Sequence, residues 1–175
     1  MAFWSDKDVE PKRKNRWLLY TNLAEPYTVK DVKKPSFTVS SIEHSFAQHV
    51  FNWPGKVKWD EVTFTVVDPA IKDKDAARAF VNKLYDSGYK TPTSFQNAIS
   101  FLTKKKSVEA IGGFAIHQVD SVGNPIEIWT LHNPFITKVD FGDLNYEGDG
   151  DLVTISMSIK YDFAMLNGSK LSGAN

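Results

Sequence analysis

Residues 153–163 constrain this chain more than any other stretch. There Val153, Ile155, Met157, Ile159, Tyr161 and Phe163 alternate without interruption with Thr154, Ser156, Ser158, Lys160 and Asp162. A period of two cannot be laid on a helix, so the segment predicts a long strand with one face buried and one face wet. Such a strand needs partners. Residues 37–42, 110–119, 126–131 and 136–141 read as further strands, divided by Gly, Pro and Asn turn chemistry. Gly123-Asn124-Pro125 places a hairpin loop at 121–125. Residues 56–67 read as a second long strand whose apolar parity changes, from Val57 and Trp59 to Val62, Phe64 and Val66. A bulge or twist near Asp60 and Glu61 is expected to absorb that change.

Two helical patterns interrupt the strands. In residues 73–87, Ala76, Ala77, Phe80, Val81 and Leu84 form one stripe and Gly88 is placed to end it. The second pattern has Thr91 as N-cap and Pro92 at the first helical position, runs through Phe95, Ala98, Ile99 and Leu102, and closes on Lys104, Lys105 and Lys106 at the negative end of the helix dipole. The fold class is therefore α+β and mainly antiparallel β: a β-sandwich or barrel flanked by one or two short helices. One domain is expected over residues 15–166. A flexible arm (1–14) and a flexible tail (167–175) flank it, because neither end shows periodicity.

Charge and composition exclude several functions. Lys plus Arg and Asp plus Glu are 21 each, so no global field draws the chain to nucleic acid or an anionic membrane. Without cysteine there is neither a disulfide framework nor a thiolate metal site. No apolar run is long enough for a signal peptide or a membrane span, which predicts a soluble product without membrane partners. Aromatic residues make up 13% of the chain, more than a core of this size needs, and the surplus points to interfaces.

No constellation carries catalysis, and no cofactor or metal is expected. His44, His49, His117 and His132 lack the spacing of a metal motif or a nucleophile–base pair and read as solvated or hydrogen-bonded structural residues. Asp143, Asn145, Glu147, Asp149 and Asp151 imitate the start of a calcium loop, but Thr154 stands where the bidentate carboxylate is required, so they read as a solvated loop. Gly112-Gly113 has no following Lys-Ser/Thr pair and reads as a bulge or close backbone approach within a strand. Lys12, Arg13, Lys14 and Arg16 beside Trp17 read as an arm leading into the first strand. The alternative is a single-strand-binding surface.

The stretch PGKVKWDEVTFTVVDP at 54–69, preceded by SFTVSSIEHSF and followed by an amphipathic helix, resembles the tail tube proteins of contractile-tailed bacteriophages. The later segments WTLHNPFITKVDFGDLNY and LVTISMSIKYDFA fit the same pattern. The resemblance spans roughly residues 16–164. It implies a structural virion protein, not an enzyme, whose hexameric rings stack into the inner tail tube for genome delivery. The implied partners are further copies of the chain, a tail sheath protein outside, tape-measure protein and passing double-stranded DNA in the lumen, and a baseplate hub or tube initiator. The implied location is the virion tail, with assembly in the host cytoplasm.

Residues 45–53 contain Phe46, His49, Val50, Phe51 and Trp53 between two strands, with Pro54-Gly55 ending the segment. So apolar a segment has to pack, and it is expected to form a subunit or ring–ring contact or a plain internal hairpin. A genome conduit repels phosphate at its wall, which makes Asp140, Asp143, Glu147 and Asp149 candidate lumen residues, although Lys56, Lys58 and Lys160 lie on strands that can also face inward. Two other readings stay open: a baseplate tube-initiator or hub subunit of the same fold, and a monomeric ligand-binding β-barrel with its aromatics around a cavity.

Overall fold

The computed structural model describes residues 10–70, 75–146 and 150–167. Its strands are β1 (Trp17–Thr21), β2 (Val29–Val32), β3 (Phe37–Phe46), β4 (His49–Trp59), β5 (Val62–Val67), β6 (Phe114–Val119), β7 (Pro125–His132), β8 (Phe135–Asp140), β9 (Thr154–Lys160) and β10 (Phe163–Leu166). Three helices, α1 (Ala76–Asp86), α2 (Phe95–Ala98) and α3 (Lys104–Ile111), lie between β5 and β6. The strands form two four-stranded sheets, ordered β1-β6-β7-β10 and β2-β5-β9-β8, and a separate two-stranded ribbon, β3-β4. Every pairing is antiparallel.

The core lies between the two four-stranded sheets. Leu19, Phe114, Ile116 and Leu131 face it from one, and Val62, Phe64, Val66, Ile155, Met157 and Ile159 from the other. Phe64 and Phe114 meet across it with ring centroids 5.7 Å apart. Phe80 of α1 and Ile111 of α3 join the same cluster. Alternation built this core: in β9, Ile155, Met157 and Ile159 are buried while Ser156 and Lys160 are exposed.

The alternation at 153–163 nevertheless does not make one strand. β9 ends at Lys160, and β10 belongs to the other sheet. The crossing at Tyr161 and Asp162 is held by the Asp162 amide, which donates to the His132 carbonyl (2.9 Å), while Asn133 Nδ2 and Lys104 Nζ donate to its carboxylate, each at 2.7 Å. The parity change at Asp60 and Glu61 is likewise a change of sheet, not a bulge within one strand: β4 pairs with β3 alone and β5 with β2 and β9. A bulge does occur earlier, where the β3–β4 register shifts between Val39 and Ser41. Gly55 sits in it, and a Cβ there would come within 2.4 Å of Ser40 Oγ. Pro54-Gly55 thus lies inside β4 instead of ending the preceding segment.

The helices also differ from expectation. α1 is capped by Asp75, which accepts from the Arg78 amide at 3.0 Å. The second pattern splits in two: Ser94, not Thr91, caps α2, and Thr103 caps α3. Lys104, Lys105 and Lys106 therefore open α3 at its positive end. Lys104 is offset there by Asp162, and Lys105 by Glu109 one turn on, at 3.9 Å. Ala110 and Ile111 close this helix, so the following strand begins only at Phe114. Gly112 is its C-cap, with φ 71, and lies so near Asn22 that a Cβ would meet Nδ2 at 2.5 Å. The expected close approach is present, at a helix end and not in a strand.

Candidate assembly surfaces

The β3–β4 ribbon pairs with neither four-stranded sheet. Strands of ten and eleven residues make it about 35 Å long at 3.3–3.4 Å per residue. Its turn is Ala47-Gln48, with Ala47 at φ 54, a left-handed first turn residue that suits the right-handed twist of the flanking strands. At its root, Trp59 packs against Phe37 and Tyr161, at centroid distances of 5.4 and 6.0 Å. Burial together with the nearby Asp60 charge pushes the Tyr161 hydroxyl up to about 12.

Register divides the outer half of the ribbon into two unlike faces. Ile42 is opposite Trp53, His44 opposite Phe51, and Phe46 opposite His49; the other face pairs Ser41 with Pro54, Glu43 with Asn52, and Ser45 with Val50. Cross-strand partners share a face, so Phe46, His49, Phe51 and Trp53 come together on one side and Val50 lies on the other. His44, missed by ending the first strand at Ile42, and Ile42, read only as a strand residue, complete the aromatic face. Exposure of Phe46 is 70% and of Trp53 62%. The segment expected to pack is uncovered in the single chain.

The outward faces of the two sheets also contrast. On β2-β5-β9-β8, the residues alternating with the core include Thr63, Thr65, Thr154, Ser156, Ser158 and Lys160. Lys160 pairs with Glu61 at 3.1 Å and Lys138 with Asp140 at 3.4 Å. The Gly142 amide and then Lys138 hold the Asp140 carboxyl below its usual range. Asp143 is exposed in the following loop, and Glu147 and Asp149 lie outside the described residues. On β1-β6-β7-β10, the outward rows are Leu18, His117 and Ile128; Tyr20, Ala115, Thr130 and Met165; and His132 with Phe163. They contain no Asp, Glu, Lys or Arg.

A buried carboxylate ties the segments around this second sheet together. Glu127 sits on the inward parity of β7 and is buried. Burial pushes its pKa up, but Lys12, Lys34 and Trp129 Nε1 all donate to it and bring it down to about 2. Gln118 accepts from Lys34 and donates to the Arg13 carbonyl. Lys12 and Arg13 of the basic stretch are thereby held against the sheet. The available sequence signal was an acid on the buried parity of an alternating strand.

The histidines form no site. His117 lies beside Tyr20, with centroids 4.4 Å apart, and burial lowers its pKa. His132 stacks on Phe163 at 4.3 Å, and His44 and His49 are exposed on the ribbon. Among the described residues, no group of three or more His, Asp or Glu is placed to hold a metal, and no helix is long and apolar enough to cross a membrane. Open grooves occur beside the helices. One of about 560 Å³ runs along residues 20–28 and the start of α1, and one of about 360 Å³ is lined by Leu84, Leu102, Ile136, Val139 and Phe141.

No family pattern and no curated protein matches this sequence. Solved structures do match in fold. A chain in the cryo-EM structure of the anti-feeding prophage baseplate aligns with a TM-score of 0.64 at 12% identity, covering 93% of this chain and 99% of its own. A chain in the sheath/tube terminator of an extracellular contractile injection system, PVC, aligns at 0.64 and 13%, covering 91% and 98%. A chain in the PVC sheath-tube complex aligns at 0.63 and 12%, covering 91% and 93%. The chain thus shares its fold, mainly antiparallel β, with chains of these assemblies.

Proposed function

We propose that this chain is a structural, non-enzymatic subunit that self-assembles into hexameric rings stacked as the inner tube of a contractile tail, the conduit for genome delivery. The single observation that carries the reading is the uncovered β3–β4 ribbon on a tail-tube fold: an apolar arm that the chain's own core leaves unused. A ring closes through heterologous contacts, which need a protruding element that reaches a different surface on the next copy. Phe46, His49, Phe51 and Trp53 are the contact residues in this reading, and Val50 serves the opposite side.

The outward face of β2-β5-β9-β8 suits the channel wall. Its hydroxyls are hydrated without strong charge, and Lys138 and Lys160 are already paired, so they hold a passing phosphate backbone weakly. Asp140 belongs to that face, and with Asp143 in the loop that follows it supplies the acidic part of the wall in this reading. Sheath outside, tape-measure protein and double-stranded DNA inside, and a baseplate hub at one end complete the partners. The particle tail is the final location, after assembly in the host cytoplasm. The ligand-barrel alternative finds no support inside the sandwich, where Phe64 and Phe114 fill the space.

A second reading keeps the fold and moves the subunit to a tube end, as initiator, hub or terminator. The likeness to chains of baseplate and terminator structures favours it. Negative-stain electron microscopy of the purified chain, with light scattering over a concentration series, separates the two. Stacked hollow tubes are the expected result, single rings that never stack would move the subunit to an end, and a monomer at every concentration would overturn both.

A further inference from the structure

We infer that the outward face of the β1-β6-β7-β10 sheet receives the aromatic ribbon face of a second copy, and that the histidines on both surfaces make this contact weaken on acidification. The inference rests on the reading above, that the ribbon is a subunit contact, and adds the surface it meets and a control over the meeting.

Shape and charge select the acceptor. The ribbon is two strands wide, and such a layer packs on a sheet face as sheets pack on each other, about 10 Å apart. The groove between α1, α3 and β8 is concave and fits a single side chain or a chain end better than a ribbon. A four-stranded sheet is about 19 Å wide at 4.7–4.9 Å per strand, and the aromatic outer half of the ribbon, five residues a strand, is about 17 Å long, so it spans most of that width. Ile42, His44, Phe46, His49, Phe51 and Trp53 carry no carboxylate, ammonium or guanidinium, and neither do the outward rows of this sheet. The outward face of the other sheet carries Lys138, Asp140 and Lys160. Uncharged surface meets uncharged surface at the centre of an interface, where stranded charge is costly. Charges near the acceptor are paired: Arg16 with Glu10 at 2.8 Å and Lys104 with Asp162 at 2.7 Å. Burying Ile42, Phe46, Phe51 and Trp53 covers on the order of 600 Å², most of the roughly 800 Å² per partner of a standard interface.

All four histidines of the chain lie on these two surfaces, His44 and His49 on the ribbon and His117 and His132 on the sheet. Imidazole is the side chain that ordinarily gains charge between neutral pH and pH 5. His44 and His49 are diagonal neighbours on one face, so their charges repel. Facing them are Phe51, Phe46, Ile42 and Trp53, with Lys56 and Lys58 the next cations toward the root. His117 faces Tyr20, Leu18 and Ile128 and, among the described residues of the adjoining strands, no carboxylate. His132 faces Phe163 and has Asp162 beside it, itself held by Lys104 and Asn133. That carboxylate offsets charge on His132, so His44 and His49 carry most of the response, and His117, whose pKa burial lowers, adds to it at the acid end.

The chain has no cysteine, which makes an introduced pair readable. Full-length H44C and I128C chains, each checked for native folding by circular dichroism, are mixed at pH 7.5 with diamide as thiol oxidant and run on a non-reducing gel; His44 lies opposite Phe51 on the same face, so the aromatic contacts are kept. L84C, in the helical groove, replaces I128C as the control. The expected result is a disulfide dimer from H44C with I128C at least about tenfold above that from H44C with L84C. Rings or tubes in the microscope together with cross-linking to L84C instead would overturn this acceptor and leave the tube reading standing. A chain that never assembles would overturn both. Sedimentation of the unmodified chain is expected to show assembly at least about tenfold weaker at pH 5.0 than at pH 7.5, with most of that difference absent from an H44Q/H49Q/H117Q chain. Equal assembly at the two pH values would remove the histidine control.

Discussion

Phe64 in β5 and Phe51 in β4 lie on two strands joined only by Asp60 and Glu61, and both obey the same alternation. Phe64 is 0% exposed and Phe51 is 51% exposed. The difference lies in what each strand pairs with. β5 sits at the centre of a four-stranded sheet that packs on a second one, while β4 pairs only with β3. An alternating apolar row therefore reports that one side of a strand is meant to be covered. It does not say whether the cover comes from the same chain or another. In this protein the sandwich is covered within the chain and the ribbon is not, which on the proposed reading separates folding from assembly.

Truncations test that separation most strongly. F64A is expected to cost about 3–5 kcal/mol in urea unfolding of dilute, unassembled protein, because it opens a cavity in a packed core. F51A is expected to change the same midpoint by less than about 0.5 kcal/mol while abolishing tubes or rings. Similar losses from both would mean that the ribbon is part of the folding unit.

The Glu127 cluster, which holds Lys34 just before the ribbon, is the next largest. E127Q is expected to lose about 1–3 kcal/mol near neutral pH, since the lysines and Trp129 Nε1 lose a charged acceptor. Its pH dependence has a definite sign. The folded pKa is depressed to about 2 from an ordinary value near 4.5, so the stabilisation is complete above about pH 4.5 and lost as pH falls toward 2. Urea titrations from pH 7 to 2 should show a shallower acid decline for E127Q than for the unmodified chain; identical declines would remove the cluster from the sandwich's acid response.

Capping follows. T103A is expected to cost about 1 kcal/mol by releasing the Lys106 amide, and T91A less than about half of that, because α3 and not a helix begun at Thr91 packs on the core. A larger loss from T91A would restore the continuous helix. The smallest effect belongs to the ribbon turn. Ala47 holds a left-handed conformation that glycine adopts freely, so A47G should stabilise the ribbon by up to about 1 kcal/mol. The gain should appear as slower hydrogen exchange in residues 37–59 with little change in global unfolding, and a rise in global stability of the same size would couple ribbon and sandwich.

Much of the sandwich was legible. The rows of Ile155, Met157 and Ile159, and of Val62, Phe64 and Val66, point inward as their period demands, and the Gly123 turn joins β6 to β7. Asp120 makes that turn explicit by accepting from the Val122 and Asn124 amides at 2.8 and 2.9 Å. The helical region was less legible. Three lysines suit a helix C-terminus by dipole alone, yet the Thr103 cap and the Lys104–Asp162 pair, which joins residues distant in sequence, set them at the start of α3. The apolar pair Ala110 and Ile111 suits a strand or a helix equally. Packing on the core decided it.

By itself, the sequence determined which residues of each strand share a side, where the tight turns fall, and that charge is too evenly balanced to bind nucleic acid indiscriminately. Only the tertiary structure decided that the chain changes sheets at Asp60 and at Asp162, that the aromatic segment is the outer half of a free ribbon, and that Glu127 is buried among two lysines and an indole. The reason is physical. Side-chain alternation follows from local backbone geometry and survives a change of partner, whereas strand pairing and ion-pair burial are set by segments far apart in the chain, whose meeting no local pattern encodes.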